Sequence, residues 1–175
     1  MKAGCMKHRH ANNLTGEHRI GDIGQLTLYC LFMALWISDM LLDYSNFLNE
    51  YVPIGIKFPI GIIILIISGY MAGTGLWIIF GKKAQSQGVV RKGVFRFVRH
   101  PIYLSEILFY LALLLLSISL ISVFIWFIII AFLHYISLHE EKLLFKRFGD
   151  AYAQYCQEVP MWIPRCSKMK SQMPK

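Results

Sequence analysis

The chain has 175 residues, of which 56% are hydrophobic and only 16% charged, and it carries a formal net charge of +8. Its length suits a single domain, and a composition this apolar excludes an ordinary soluble fold. The basic residues flank apolar runs instead of forming a stripe on a polar fold, so the expected neighbours are anionic lipid headgroups and not nucleic acid.

Residues 1–22 form a polar, basic N-terminal segment. The apolar run after it, about residues 23–42, lacks a small-x-small cleavage signal and reads as a retained first span instead of a removable signal peptide. A second span covers about residues 54–80 and contains a cluster of small residues, Ser68, Gly69, Ala72, Gly73 and Gly75. The Gly69-x-x-x-Gly73 pair permits another helix to approach closely, the plainest use being packing within this chain. A basic, Gly-containing segment, 81–100, then interrupts the hydrophobicity.

The third apolar region, 101–138, would be roughly 55 Å long as one helix, against a bilayer core of about 30 Å, so it must fold back. Ser117, Ser119 and Ser122 mark the turn and make spans three and four a tight hairpin. Residues 140–155 read as an amphipathic helix along the membrane surface, with Leu144, Phe148, Tyr152 and Tyr155 on one stripe. Pro160 and Pro164 prevent its continuation, Trp162 between them suits the lipid–water interface, and Gly149 allows a bend. The expected fold is therefore all-α and polytopic, with about four transmembrane helices and a C-terminal surface helix. Its parts are the N-terminal segment 1–22, spans 1 and 2 in 23–80, a C-terminal region 81–165 and a polar tail 166–175.

Lys57 is the one Lys or Arg outside the N-terminal segment, the 81–100 segment and the tail after residue 138. By the excess of basic residues on the cytoplasmic side, those three segments and both termini belong in the cytoplasm, with the acidic loop of Asp43 and Glu50 outside. Cys5, Cys30, Cys156 and Cys166 have no CxxC or Cys/His spacing and read as free thiols. His8 and His10 are isolated, and no spacing of a metal site appears.

Polar residues at membrane depth are costly, which directs attention to Arg99, His100, Tyr103 and Glu106 around Pro101, and to Glu140 and Glu141 at the end of span four. The hairpin brings the two groups to the same side. His134 and His139 lie near the same end. Each residue has a plainer use: solvated acids at a span end, an arginine on lipid phosphate, or an aromatic anchor.

The run GVFRFVRHPIY at 93–103, the hydrophobic hairpin, the run EEKLLFKRFGDAYAQY at 140–155 and Pro160 together resemble the isoprenylcysteine carboxyl methyltransferase family. The related phospholipid N-methyltransferases share the RHPxY and EE signature. The resemblance covers about residues 88–164. It implies an enzyme that uses S-adenosyl-L-methionine to methylate a lipid-like or membrane-embedded acceptor, at a pocket on the cytoplasmic ends of the last spans. By motif position it implies cofactor contacts at Gln87, Gly88, Val89, Val90, Phe95, His100, Pro101, Ile102, Tyr103 and Glu140. The chemistry agrees: an acid such as Glu140 suits the cofactor's ammonium, donors such as Arg99 or His100 its carboxylate, and aromatic faces its sulfonium.

Three positions depart from the resemblance. Phe95 stands where a tyrosine is common, and Ser105 replaces a glycine and is followed by Glu106. Ile136 occupies the place of an arginine that would hold a prenylcysteine carboxylate. The carboxyl-methylating substrate class is thereby put in question, and Glu106 becomes a candidate to take a proton from an acceptor or pair with a lipid amine. Glu106 and Arg99 are the candidate catalytic residues, and Glu141 reads as a tie to Arg96 or Arg99. Two other classes compete: a non-catalytic membrane carrier or scaffold, which would bind no cofactor, and a nicotinamide-dependent membrane reductase of similar architecture. The short chain lacks the internal repeat of many transporters.

Overall fold

The computed structural model describes residues 14–45, 47–80 and 88–164, with side chains from residue 21 onward. The described part is helical throughout: α1 (Leu14–Leu42), α2 (Ile54–Phe80), α3 (Pro101–Leu116), α4 (Leu120–Phe148) and α5 (Asp150–Glu158), with 3-10 turns at Phe47–Glu50 and Gly93–Arg96. Gln87, residues 81–86, Cys5, His8, His10, Cys166 and residues 165–175 lie outside the described residues.

Residues 21–42 of α1, all of α2 and α4 are long and apolar enough to cross a membrane, and α3 is a shorter apolar helix of 16 residues. At 1.5 Å per residue α3 is about 24 Å long, less than a 30 Å core, and it packs against both α2 and α4. The chain is an all-α polytopic membrane protein. Exposed Ile, Leu and Phe side chains such as Ile63, Ile66, Phe124 and Phe127 form its lipid-facing surface. Exposed Tyr44, Phe47 and Tyr51 sit at one end, and Trp77, Phe80 and Tyr135 toward the other, as in interfacial belts.

Hydrophobic side chains from three helices build the core, with Phe32 of α1, Tyr110 and Leu114 of α3, and Ile125, Ile129 and Leu133 of α4 buried together. The Phe32 and Tyr110 rings lie 4.6 Å apart. Indole groups clamp α3 from both sides: Trp36 Nε1 donates to the Leu113 carbonyl (3.2 Å) and Trp126 Nε1 to that of Ile107 (3.1 Å). α2 lies close along α3, because a Cβ at Gly61 would stand 3.3 Å from the Ala112 carbonyl oxygen and one at Gly75 2.9 Å from Ile102. Gly69 and Gly73, by contrast, meet nothing within 4 Å, so this pair does not serve packing inside the chain.

The expected hairpin turn is present. α3 ends at Leu116, and Ser119 caps α4 by accepting from the Ser122 amide at 3.2 Å. Fully buried Asp39 of α1 accepts from the Ser45 amide (2.7 Å) and the Ser45 hydroxyl (2.6 Å), and that hydroxyl lies 3.3 Å from Ser119 Oγ. Burying a carboxylate is costly unless such donors satisfy it, so this network fixes both turns at one end of the bundle. Lys57, buried at the start of α2, donates to the Asn49 carbonyl (3.2 Å) and to its side-chain oxygen at the same end.

Two boundaries differ from the sequence reading. The first helix starts at Leu14, well before the apolar run. The amphipathic helix does not begin at Glu140: α4 continues unbroken to Phe148, and Gly149, at φ 53°, ends it before α5. A left-handed residue stops a helix, and glycine adopts that conformation without strain. The stripe of Leu144, Phe148, Tyr152 and Tyr155 is real, but with Val159 it packs against Val89 of the basic segment instead of facing lipid.

Candidate active site

About 20 residues cross a 30 Å core, so a span that enters at Leu120 reaches its other boundary near His139. Glu140 and Glu141 stand there, at the end where α3 begins. Proline is well placed in the first turn of a helix, and Pro101 starts α3 after His100, whose backbone is non-helical. The chain before it is held twice. The Arg99 amide donates to the Pro160 carbonyl (3.0 Å), and Tyr155 Oη donates to the Phe95 carbonyl (2.7 Å). Gly93, at φ 57°, lies where a Cβ would meet Ile78 at 2.6 Å, so the turn closes tightly on the end of α2. Arg91 binds Glu158 (3.0 Å) and the Ala151 carbonyl (2.9 Å) and stands over the Tyr155 ring.

These restraints bring five of the singled-out side chains together. Arg99 Nη1 pairs with Glu141 Oε1 at 2.9 Å, the tie expected for Glu141. His100, buried, lies between the two acids, with Nε2 3.3 Å from Glu141 Oε1 and Nδ1 3.7 Å from Glu140 Oε2. Tyr103 Oη donates to Glu140 Oε1 at 2.5 Å, and its ring stacks on that of His100 at 5.8 Å. Arg99 is thus paired with Glu141, while Glu140, 27% exposed, meets Tyr103 and His100 and no Arg or Lys among the described residues. Arg99 Nε is buried with no partner.

Trp162, expected to face the interface, instead joins this group. Its ring centre is 6.0 Å from that of His100, and its Nε1 donates to His134 Nδ1 at 3.1 Å. His139 is exposed. Phe95 is buried and Val89 packs under α5, so their side chains serve the platform beneath the site. Gly88 is exposed and Val90 half-buried, while Pro101 is buried and Ile102 faces α2. Burial raises the ionisation of Tyr152 and Tyr155 above the ordinary tyrosine value. The Glu141 charge reinforces this at Tyr152, and Arg99 partly opposes it at Tyr155.

Glu106 lies three residues along α3 from Tyr103, about 4.5 Å deeper, and meets different partners. One oxygen accepts from Gln25 of α1, the other from Tyr110 Oη at 3.1 Å. It is the single charged group lining a cavity of about 640 Å³ between α1, α2 and α3. Ile136 packs toward Gly21 of α1, an apolar contact where a carboxylate-binding arginine was the alternative.

Sequence reasoning missed Gln25, Tyr110 and the inward position of Trp162. Gln25 was open to the same rule that singled out Glu106, since an amide inside a span needs a partner. The packing of α1 against α4 decides which partner it finds.

Two acids, two histidines and two aromatic rings thus meet at one end of a helical hairpin in a membrane protein. A match to the phospholipid methyltransferase family covers residues 56–151, more than half of the chain and all of α3 and α4, and the protein belongs to that family. Of the two related families that the sequence resembles, this is the phospholipid one. No curated protein and no solved structure matches the chain.

Proposed function

We propose that the protein is an integral membrane, S-adenosyl-L-methionine-dependent methyltransferase that methylates an amine on a lipid-like, membrane-embedded acceptor. The observation that carries this reading is the half-buried Glu140 carboxylate, held by Tyr103 beside His100, with Tyr103 one helical turn from Glu106 and the membrane-level cavity it lines.

The residues fit the cofactor. Glu140 offers an anion for its ammonium group, and the unpartnered Arg99 Nε offers a buried donor for its carboxylate. The rings of His100, Tyr103 and Trp162 provide faces for a sulfonium. Further contacts come from Pro101 and Ile102 at the start of α3 and from the backbone of Gly88, Val89, Val90 and Phe95. When bound, the cofactor supplies an already activated methyl group, so the protein's task is to position the acceptor and exclude water.

Glu106 then holds the acceptor amine and takes its proton. A Glu106 oxygen would receive the proton that the acceptor nitrogen gives up as it takes the methyl group the bound cofactor would supply. Arg99 acts mainly by fixing Glu141 and the RHPxY turn. An apolar Ile136 leaves no cation for a carboxylate acceptor, which favours the amine. The distribution of Lys and Arg supports a cytoplasmic site with both termini on the same side.

Incubation of purified protein with methyl-labelled S-adenosyl-L-methionine and membrane lipids should give a labelled, lipid-extractable product, and Glu140→Ala should remove it. Absence of labelled lipid together with tight binding of a nicotinamide cofactor would turn the reading toward a reductase. Absence of both would leave a scaffold.

A further inference from the structure

We infer that Trp162 is the wall of the cofactor site that senses the charge of the sulfonium, and that His134 is the positioning residue that holds its indole in place. The inference rests on the methyltransferase reading and adds two roles that the RHPxY and EE motifs do not assign. Trp162 lies beyond the family match, which covers residues 56–151, so the segment after α5 completes a site whose other parts the family core supplies.

Four rings follow one another at the end of the hairpin where Glu140 stands. Centre to centre, Tyr103 lies 5.8 Å from His100, His100 lies 6.0 Å from Trp162, and Trp162 lies 6.2 Å from His134. Each has a polar edge engaged. Tyr103 Oη donates to Glu140, the two nitrogens of His100 face Glu140 and Glu141, and Trp162 Nε1 donates to His134 Nδ1 at 3.1 Å. A ring tied by its edge does not turn freely, so its face is held ready without a further ordering cost.

Aromatic faces bind cations that have no N–H to donate, and the indole face binds them most strongly. A sulfonium is such a cation, since three carbons surround its charged sulfur. The ammonium of the same cofactor suits Glu140 instead. Loss of the methyl group turns the sulfonium into a neutral thioether, for which a ring face has no charge to attract. Trp162 thereby favours the loaded cofactor over the spent one.

The segment that carries Trp162 is anchored at its start. Val159, extended after α5, is buried with Tyr152 and Tyr155, and the Pro160 carbonyl accepts from the Arg99 amide at 3.0 Å. Two residues further on, the bond to His134 draws the indole toward His100. His134 stands six residues before Glu140, about 9 Å along α4, and a polar side chain at that depth needs a partner. Were that need the whole purpose of the bond, the indole would be a prop, and its loss would weaken the charged and neutral forms of the cofactor alike.

The test is isothermal titration of the full chain in phosphatidylcholine nanodiscs with S-adenosyl-L-methionine and with S-adenosylhomocysteine, which lacks the methyl group and the sulfonium charge. The readout is the ratio of the two affinities. Trp162→Leu should lower that ratio at least fivefold, and Trp162→Phe, a weaker face, should lower it less. His134→Leu should lower it as well. His134→Asn, whose side-chain oxygen can accept the indole N–H from the place of Nδ1, should hold the ratio within twofold of wild type. Thermal midpoints identify the folded variants, and the Phe and Asn variants carry the test if the leucine ones unfold. Equal weakening of both ligands in folded Trp162 variants, or a ratio that His134→Asn lowers as much as His134→Leu, would overturn the inference. Wild-type protein that binds neither ligand would sink the methyltransferase reading itself.

Discussion

Arg99 and Glu141 form an ion pair whose main expected contribution is to stability. Both are largely buried, and removal of one leaves the other uncompensated, which typically costs about 3 kcal/mol. Arg99→Ala should therefore lower the thermal midpoint in detergent clearly, and the double variant Arg99→Leu/Glu141→Leu should recover part of that loss. Additive destabilisation by the two changes would show that the ion pair is not the tie. Tyr155 gives a second residue-level prediction, with a pH dependence. Its neutral form is favoured in the folded state, so its contribution is complete below about pH 10, where tyrosine ionises in the unfolded chain, and is lost as pH rises further. Alkaline titration followed by tyrosine absorbance should show late ionisation, and Tyr155→Phe should remove that component and cost about 1 kcal/mol for the bond to the Phe95 carbonyl. At this scale the RHPxY run and the paired glutamates were legible in the sequence, because charged and aromatic residues at a span end stand out from their surroundings. The pairing of Gln25 with Glu106 was not, because the two lie 81 positions apart.

Helix ends and helix contacts carry the next level. The serine cluster announced the hairpin turn, since a 38-residue apolar run cannot cross once. Ser119→Ala should cost about 1 kcal/mol through loss of the α4 cap, read as a lower unfolding midpoint. Along α2 the small residues separate into two functions that sequence spacing alone cannot distinguish. Gly75→Ala places a Cβ 2.9 Å from Ile102 and should destabilise by about 1–3 kcal/mol through overpacking. Gly73→Ala meets nothing and should be neutral or slightly stabilising, as expected for an exposed helical glycine. Equal effects of the two would contradict the close α2–α3 packing. The division of the surface helix at Gly149 escaped the sequence reading for a similar reason. The apolar stripe continues in phase across the break, and only the backbone conformation of one glycine ends α4 there.

Taken as a whole, the molecule places its polar chemistry at opposite ends of a short bundle. Asp39, Ser45 and Ser119 lock the two turns at one end, and Arg99, His100, Tyr103, Glu140 and Glu141 assemble the site at the other. The three long apolar helices and the hairpin followed from hydropathy, whereas the cavity did not, because it exists only where α1 and α2 fail to meet. An isothermal titration of S-adenosyl-L-methionine into the purified protein, wild type against Glu140→Gln, tests the central claim most directly. Micromolar binding that the substitution weakens tenfold or more, about 1.4 kcal/mol, is the expected result. Well-folded wild-type protein that takes up no cofactor, or binding that ignores the loss of the Glu140 charge, would contradict it.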